Sequence, residues 1–353
     1  MNSNSKTTEA IALLKHLIVT PSLSRNESAV ADILCDYLSD KGYSPERKGN
    51  NVWTRSHNWD ETLPIVLLDA HIDTVKPSAG WTHEPFVADE VEGRIFGLGA
   101  NDDGGSLVSL LHAFLAWDEA EGVSRKWNLI FLASAEEEVS GKEGIESVIP
   151  ELPEISFCIC GEPTGMQPAV SEKGLMVIDV TEEGRAGHAA RNEGVNALYK
   201  AMDDIQWIRN HKFERVSDTL GEVKATVTII QAGTLHNVIP ASCQFTIDVR
   251  SNDLYTNDEL FTEINSALEG RCKARSYRLG SSHTDLSHPI VRRMIDEMGM
   301  QPFGSPTLSN QALMPFPSVK IGPGESSRSH GADEYIEIAE IDRAINLYLQ
   351  ILQ

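Results

Sequence analysis

Five metal-ligating side chains stand beside short apolar runs or a glycine-rich turn of the sequence: His71, Asp102, Glu138, Glu162 and His330. The runs are IVLLDA, NLIFLASA, SFCIC and SVKIG, and the turn is GLGANDDGG. Such runs predict buried strands, and the loops at strand ends are where open α/β sheets bind ligands. Two divalent metals about 3.5–4 Å apart need a shared carboxylate and two further protein ligands each. The five residues therefore predict a two-metal hydrolytic centre that Asp102 bridges.

Three consecutive carboxylates, Glu136, Glu137 and Glu138, follow the run NLIFLASA. Repulsion among them costs stability unless metal or solvent relieves it, and a solvated charge run is the ordinary interpretation. A dinuclear hydrolase, however, needs one liganding carboxylate beside another that accepts a proton from the nucleophilic water. We therefore predict that Glu138 binds metal and that Glu137 is the general base.

Further carboxylates lie where they could orient the metal ligands. Asp73 follows His71 by two residues, and a carboxylate at that position can hold a metal-bound imidazole in place. Asp333 and Glu334 follow the last histidine of the set in the same way. The glycines around Asp102 allow close backbone approach and open a helix, where a carboxylate is electrostatically favoured. Simple helix capping is the alternative role for Asp102.

The elements that must position these residues alternate between helices and buried strands as far as about residue 173, which indicates an α/β layer sandwich. The predicted elements are helices at 7–18, 26–41 and 104–121 and strands before His71, near 128–134 and near 157–161. We expect Thr7 or Thr8 to cap the first helix.

From Leu175 the pattern becomes strand, helix, strand, strand, helix, strand. This order is the split βαβ signature of a small four-stranded sheet with two helices. The helical pattern HPIVRRMIDEMG and the strand SVKIG then return, and an amphipathic helix at 338–352 closes the chain. We therefore predict that 174–283 is inserted into a catalytic domain made of 1–173 and 284–353.

Composition excludes several classes of partner. The chain has 353 residues, of which 41% are hydrophobic, and no apolar run approaches the roughly 20 residues of a membrane span. Its net charge of −22 disfavours nucleic-acid or anionic-membrane binding, which needs a basic surface. The five cysteines form no CxxC pair, and the N-terminal residues show no signal-peptide pattern. We expect a cytoplasmic protein with reduced thiols and a small-molecule substrate.

Seven motifs in order make the chain similar to a family of di-zinc amidohydrolases and exopeptidases. They are HxD with a following W-x-x-x-P-F, G-x-G-A-x-D, an E-E pair, GEPT, G-x-x-G-H-A-A, N-V-x-P and a final H-x-x-D-E, and they cover nearly all of the chain. The family includes acetylornithine deacetylase, succinyl-diaminopimelate desuccinylase, aminoacylase and carboxypeptidase G. The resemblance implies a zinc-exopeptidase-like, three-layer α/β/α catalytic domain. It also implies two Zn²⁺ per subunit, replaceable by Co²⁺, and a homodimer formed through an inserted ferredoxin-like lid domain.

The resemblance also divides the ligands between the two zinc ions. It implies that His71, Asp102 and Glu162 hold one ion. It implies that Asp102, Glu138 and His330 hold the other. A non-proline cis peptide after Asp102 is a further expectation from the family.

Substrate contacts follow from the resemblance as well. His188 matches the histidine of the family's lid domain. The resemblance implies that this histidine donates a hydrogen bond to the oxyanion in the active site of the partner subunit. A plain turn histidine is the alternative. The planar fork of Arg250 suits a substrate α-carboxylate. Arg328 is the runner-up and could meet the distal carboxylate of a succinyl group, although either arginine could form a surface ion pair instead. The other candidate contacts are Asn237, Ser305 and Thr307.

The predicted activity is that of a metal-dependent deacylase acting on N-acetyl- or N-succinyl-L-ornithine in arginine biosynthesis. Leu98, Gly104 and Asn310 replace the more common Arg, Lys and Asp of the family, which weakens the analogy with the desuccinylase branch. The triplet EEE with SGKEG is closer to the ornithine and lysine-biosynthetic deacetylases. Alternatives are a succinyl-diaminopimelate desuccinylase, an aminoacylase, or a di- or aminopeptidase on the same fold. The complete ligand set with Glu137 disfavours a non-catalytic paralogue.

Overall fold

The structure is a computed structural model that describes residues 3–122, 124–191 and 193–353. These residues form two compact units. The first contains the chain up to Val170 together with Thr284–Phe303 and Ser309–Gln353. The second contains Ser171–His283 and Gly304–Leu308.

The described helices are α1 (Ser3–Ile18), α2 (Ser28–Asp40), α3 (Gly105–Asp118), α4 (Ile145–Val148), α5 (Ala197–Asn210), α6 (Asn257–Ala267), α7 (Pro289–Arg292) and α8 (Ile338–Leu352). The described strands are β1 (Glu46–Lys48), β2 (Asn51–Arg55), β3 (Ile65–His71), β4 (Asp89–Val91), β5 (Arg94–Phe96), β6 (Asn128–Ser134), β7 (Phe157–Cys160), β8 (Ala169–Glu172), β9 (Met176–Glu183), β10 (Gly187–His188), β11 (Lys224–Ala232), β12 (Val238–Ile239), β13 (Ser242–Arg250), β14 (Arg271–Ala274), β15 (Ser282–His283), β16 (Phe303–Ser305), β17 (Ser318–Lys320) and β18 (Tyr335–Glu337). Single 3-10 or π turns occur at Ala100–Gly104, Glu137–Val139, Ile149–Glu151, Arg293–Glu297, Asn310–Leu313 and Ser326–Arg328. Among α1–α8, no helix combines the length and the apolar character that crossing a membrane requires.

The sheet of the first unit places β3 at its centre. The strand order is β1, β2, β6, β3, β7 and β17, followed by the start of β8. Strand β3 runs parallel to β6 and β7, and β17 runs parallel to β7. The carboxyl ends of β3, β6 and β7 therefore meet at one edge, which is where the sequence predicted that ligands would gather.

Both faces of this sheet are buried. Every residue of β3, β6 and β7 is buried, as expected for parallel strands covered on both sides. Val66 and Leu68 pack into the larger core with α1, α2, α3 and α8, whereas Ile65 and Leu67 pack into a smaller core on the opposite face with α4. Helix α3 is buried along its whole length, so it is a core helix. The predicted α/β/α layering is confirmed. The helical layer that contains α4 is the thinner of the two.

The second unit is a four-stranded antiparallel sheet with two helices. Its strand order is β11, β13, β9, β14, and every neighbouring pair is antiparallel. Alternate residues of β9 are buried, and Ile178 and Val180 pack with Ala201 of α5 and Leu260 of α6. Strands β10 and β12 pair with each other and form a short antiparallel ribbon. The four strands of this sheet and the two helices follow one another as β9, α5, β11, β13, α6 and β14, and the sequence did not predict β10 and β12.

Some predicted boundaries were wrong. Helix α1 begins at Ser3, so Thr7 and Thr8 lie inside the helix instead of capping it. The Thr7 hydroxyl instead donates to Asp342 of α8 at 2.5 Å. The sequence showed the helical period but not this tertiary partner.

The run KARSYRL, residues 273–279, predicts the last strand of the second unit, but the observed strand is shorter. Strand β14 ends at Ala274. The side-chain amide of Asn257 donates to the carbonyls of Tyr277 and Leu279 at 3.1 and 2.9 Å. The Tyr277 carbonyl is thus satisfied by a side chain, whereas the Leu279 carbonyl also accepts from the backbone N–H of Leu175 at 2.9 Å.

Candidate metal centre

The carboxylate of Asp102 lies between the two predicted metal-binding histidines. Its Oδ1 is 3.1 Å from Nε2 of His71, and its Oδ2 is 3.6 Å from Nε2 of His330. Nε2 of His330 is also 3.0 Å from the carboxylate of Glu138. Glu162 joins His71 and Asp102 in a group whose ligand atoms all lie within 4.8 Å of one another. All five predicted ligands thus come together in two groups of three that share Asp102.

This donor set fits two divalent cations. Burial raises the pKa of both Glu137 and Glu162 well above the usual range, because their negative charges are removed from water beside other carboxylates. Two divalent cations would neutralise the four carboxylates of Asp102, Glu137, Glu138 and Glu162. The oxygen and imidazole donors are those that Zn²⁺ accepts. The residues present therefore suit a dinuclear site.

His71 is held for binding through Nε2. Its side chain is 1% exposed, and Nδ1 lies 2.9 Å from the carbonyl oxygen of Asp73. Burial lowers its pKa, but hydrogen bonds to Asp102 and Asp73 outweigh burial and raise that pKa well above the usual value. The Asp73 carbonyl therefore fixes the ring orientation that leaves Nε2 facing Asp102.

The carboxylate of Asp73 organises the turn that carries the predicted general base. It accepts hydrogen bonds from the backbone N–H groups of Glu137 and Glu138 at 2.9 and 3.2 Å, and from the hydroxyl of Ser24 at 2.7 Å. Nδ1 of His71 is 3.6 Å from the same carboxylate. Asp73 was predicted to orient His71, and the structure adds that it fixes the backbone of Glu137 and Glu138.

The turn that carries Asp102 is clamped by Glu334. One oxygen of the Glu334 carboxylate accepts from the backbone N–H groups of Asn101 and Asp102 at 2.8 and 2.9 Å, and the other accepts from Gly99 at 3.1 Å. Glu334 is buried, and burial raises its pKa to about 7. The peptide between Asp102 and Asp103 is cis, as the family resemblance implied.

His330 follows a single 3-10 turn and adopts a positive φ of 61°. Hydrogen bonding to Glu138 raises its pKa to about 9. The two carboxylates proposed from the sequence as its orienters have other partners. Asp333 accepts from the backbone N–H and hydroxyl of Thr82, and Glu334 accepts from the Asp102 turn. That part of the sequence interpretation was wrong, because both carboxylates accept hydrogen bonds from residues distant in sequence.

Gly161 allows Glu162 to follow β7 closely. A Cβ atom at Gly161 would lie 2.7 Å from Cβ of Ser106 and 2.9 Å from a carboxylate oxygen of Asp103. Lys320, on the neighbouring strand β17, is buried, and its positive charge opposes the effect of burial on the pKa of Glu162. The sequence analysis missed Lys320, although a lysine inside the apolar run SVKIG was a usable signal.

Five of the predicted substrate residues lie in the second unit: His188, Asn237, Arg250, Ser305 and Thr307. His188 is exposed on β10, and the N–H of the following Ala189 donates to the carbonyl of Asn237 at 3.0 Å. The structure therefore brings His188 and Asn237 together. Arg250 forms an ion pair with Asp248 of its own strand, with Nε 2.8 Å from the carboxylate.

The segment Gly304–Leu308, which carries the candidate contacts Ser305 and Thr307, belongs to the second unit, whereas the sequence analysis included it in the catalytic domain. The N–H of Lys173 donates to the carbonyl of Ser305 at 3.0 Å, which ties this segment to the second unit. The hydroxyls of Ser305 and Thr307 lie 3.0 Å apart.

The guanidinium of Arg328, in the first unit, forms an ion pair with the carboxylate of Glu340. Two nitrogens donate to the two carboxylate oxygens at 2.7 and 3.1 Å, and the guanidinium lies 4.5 Å from the centre of the Tyr335 ring. This is the ion-pair alternative that the sequence left open for Arg328.

Comparison with known proteins identifies the family. Residues 67–353 match peptidase family M20/M25/M40. The chain is 28% identical over an alignment of length 377 to acetylornithine deacetylase of Shigella sonnei, covering 97% of this chain and 96% of that protein.

Solved structures share the fold. A tripeptidase from Staphylococcus aureus is 20% identical with a TM-score of 0.78, and the match covers 98% of this chain and 97% of that one. A Bacillus subtilis protein described as a dinuclear metal binding peptidase is 16% identical with a TM-score of 0.75, covering 99% and 98%. Together with the five converging ligands, these matches show that the chain belongs to peptidase family M20/M25/M40 and is a metallo-hydrolase.

Proposed function

We propose that this metallo-hydrolase is a deacylase that hydrolyses the amide of N-acetyl- or N-succinyl-L-ornithine, releasing ornithine and a carboxylate in arginine biosynthesis. The observation that carries the proposal is Asp102 between two histidines, with Glu137 beside the cluster and 4.0 Å from His71. Similarity to acetylornithine deacetylase of Shigella sonnei along nearly the whole chain favours an N-acyl amino acid as the substrate class. The solved peptidases are 20% identical or less and support the fold alone.

We propose that the two groups of ligands hold one divalent ion each. His71, Asp102 and Glu162 form one site, and Asp102, Glu138 and His330 form the other. Zinc is the proposed native metal, with cobalt as a functional substitute. Two bound cations supply Lewis acidity, lowering the pKa of the nucleophilic water and polarising the acyl carbonyl.

The proposed general base is Glu137. It belongs to neither group of three ligands, yet Asp73 holds its backbone at the edge of the cluster. Glu137 takes a proton from the attacking water and later delivers it to the nitrogen of the leaving amine, so the amide C–N bond breaks with a neutral amine leaving. The carboxylate of Glu138, the next residue in sequence, contacts Nε2 of His330 instead.

The second unit is the proposed dimer interface and lid, with proposed domain limits of 174–283 for this domain and 1–173 with 284–353 for the catalytic domain. Large apolar side chains are exposed on α5 and on the edge strand β11: Tyr199, Met202, Ile229 and Ile230. An unpaired edge with an apolar surface favours burial against another chain. We propose that His188 donates to the oxyanion of the partner's substrate, with Asn237 as a second polar contact.

Arg250 remains the proposed partner of the substrate α-carboxylate. Its present partner, Asp248, is on the same strand, and both side chains are about one-third exposed to solvent. The guanidinium of Arg328 is more strongly held, by Glu340 and the ring of Tyr335. Ser305 and Thr307 are proposed as further substrate contacts, and the cytoplasm is the proposed location.

A substrate panel tests the proposal. Purified protein loaded with zinc or cobalt would be assayed on N-acetylornithine, N-succinylornithine, N-succinyl-diaminopimelate and simple dipeptides. We expect the highest kcat/KM on one of the two ornithine derivatives, and Glu137→Gln should abolish turnover of it while keeping metal bound. Higher kcat/KM on dipeptides than on every acylated amino acid would show a peptidase instead.

A further inference from the structure

A buried polar cluster joins the three strands that carry most of the proposed metal site. Asp69 is in β3, two residues before His71. Ser134 is the last residue of β6, and Cys160 is the last residue of β7. All three side chains are 2% exposed or less. Each therefore stands two to four residues before a proposed metal ligand, namely His71, Glu138 and Glu162.

The side-chain amide of Asn310 connects two of these strands directly. Nδ2 of Asn310 donates to a carboxylate oxygen of Asp69 at 3.0 Å and to the hydroxyl oxygen of Ser134 at 2.9 Å. The thiol of Cys160 lies 3.7 Å from the same oxygen of Asp69. Asn310 comes from a 3-10 turn outside the sheet and is itself 4% exposed. One amide group thus ties β3 to β6 and, through Asp69, to β7.

The register of the strands makes these contacts relevant to the metal site. Residue Asp69 is opposite Cys160, and His71 is opposite Ser134. A change in the separation of β3 and β6 at this level would move His71 relative to the turn that carries Glu138. Ligand positions must hold within about 0.5 Å for productive geometry.

We propose that Asn310 is a positioning residue for the two-metal centre, holding the ends of β3, β6 and β7 at the spacing that the ligands require. The proposal rests on the two-metal function proposed above. Asn310 touches neither substrate nor metal in this role and acts through Asp69 and Ser134.

The chemistry of the amide explains why asparagine suits this position. Nδ2 carries two hydrogens, one for each acceptor, in a compact planar group. Among the described residues, the other carboxylate oxygen of Asp69 has no hydrogen-bond partner, so the contact with Asn310 is a principal polar contact of that buried group. An aspartate at 310 would have the same shape but would place two carboxylates in buried contact.

Exchanging the two side chains gives a specific test. Asn310→Asp removes both donors and adds a like charge beside Asp69. Asp69→Asn, combined with it, restores one amide–carboxylate pair in the reverse direction, and the hydroxyl of Ser134 then donates to the new carboxylate. Asn310→Ala removes the donors without adding charge, so it serves where Asn310→Asp does not fold. Recovery in the double variant is a result that general damage to the core would not give.

Asn128→Asp is the matched control. Asn128 is buried at the opposite end of β6, where its amide donates to the carbonyls of Asp60 and Leu63 at 2.7 and 3.1 Å. Its replacement should lower the free energy of unfolding and leave metal binding unchanged, because no proposed ligand follows that end of the strand.

The readouts are zinc affinity, measured by competition with a chromophoric chelator, and the visible absorption spectrum of the Co²⁺-loaded protein. We expect Asn310→Asp to weaken zinc binding by about 10–100-fold and to change the cobalt spectrum, as loss of supporting contacts around metal ligands does. The double variant should recover most of the affinity and the wild-type spectrum. Asn310→Ala should weaken binding less than Asn310→Asp.

Two different failures are distinguishable. If the wild-type chain binds two ions and folded Asn310→Asp or Asn310→Ala binds them equally well with an unchanged spectrum, the positioning role is wrong and the proposed function stands. The same holds if the double variant shows no recovery. If the wild-type chain itself binds fewer than two ions at saturation, the two-metal function fails and this inference fails with it.

Discussion

Replacing the buried Glu334 by glutamine should destabilise the first unit more than the equivalent change at the neighbouring surface carboxylate Asp333. Glu334 accepts three backbone N–H groups, from Gly99, Asn101 and Asp102. In Glu334→Gln the remaining oxygen can accept from Asn101 and Asp102, but the new NH₂ group faces the N–H of Gly99. Two donors then oppose each other at a buried position.

The magnitude follows from these contacts. Leaving one buried donor unsatisfied costs about 1–3 kcal/mol. The other two hydrogen bonds change from a charged to a neutral acceptor, which weakens each by about 1 kcal/mol. We therefore expect the free energy of unfolding to fall by about 3–5 kcal/mol in Glu334→Gln.

Urea unfolding followed by tryptophan fluorescence measures this change. Five of the six tryptophans, all but Trp207, lie in the first unit, so the signal reports mainly on it. The assay belongs at about pH 8, where a group with a pKa of about 7 is mostly ionised, and in the presence of a chelator so that metal affinity does not contribute. Asp333→Asn is the control, because Asp333 also accepts backbone hydrogen bonds but does so at the surface. If Glu334→Gln costs no more than this control, the clamp on the Asp102 turn is not a stabilising contact.

Three other expectations follow. Metal analysis of Glu137→Gln should find two divalent ions per chain with turnover abolished, and a rate near wild type would assign the general base elsewhere. Arg328→Ala should lower the free energy of unfolding by about 1–3 kcal/mol, because the hydrogen bonds to Glu340 are lost. If this variant loses more kcat/KM on succinyl than on acetyl substrates, Arg328 contacts the substrate instead. Burial and the neighbouring Asp204 raise the pKa of Glu182 from 4.5 to about 7, so the folded state binds this proton more tightly than the unfolded state does. The free energy of unfolding of the second unit should therefore fall as the pH rises from about 4.5 to about 7. Urea unfolding of Glu182→Gln should show no such dependence on pH.

The convergence of the five ligands could be predicted because its cause is visible in the sequence. Each apolar run is long enough to be a buried strand, and parallel strands bring their carboxyl ends to one edge of the sheet. The ligands at or just after the ends of three of these runs, His71, Glu138 and Glu162, are therefore near one another whatever their sequence separation. The shared position of Asp102 followed from the ligand count of a dinuclear site, and the structure places its two oxygens toward His71 and His330.

The supporting contacts could not be predicted in the same way. Glu334 binds backbone amides more than 200 residues earlier, and an amide carries no residue-type signal. Asn310 was noted only as a departure from a family pattern, because its partners Asp69 and Ser134 are defined by strand register. Arg328 and Arg250 have the same planar guanidinium group, and nothing in the local sequence showed that the guanidinium of Arg328 is already hydrogen-bonded to Glu340.

The position of β17 has a consequence for how the chain folds during synthesis. This strand lies between β7 and β8 in the sheet although it follows both of them by about 150 residues in sequence. The four strands of the second unit end at Ala274, so that unit can complete its sheet while Ser318–Lys320 has yet to be made. Until then β7, with the apolar sequence Phe157–Cys160, has no neighbour on one side and presents an open edge that other chains can pair with. We therefore expect a chain that stops before Ser318 to aggregate through β7 while its second unit is already folded.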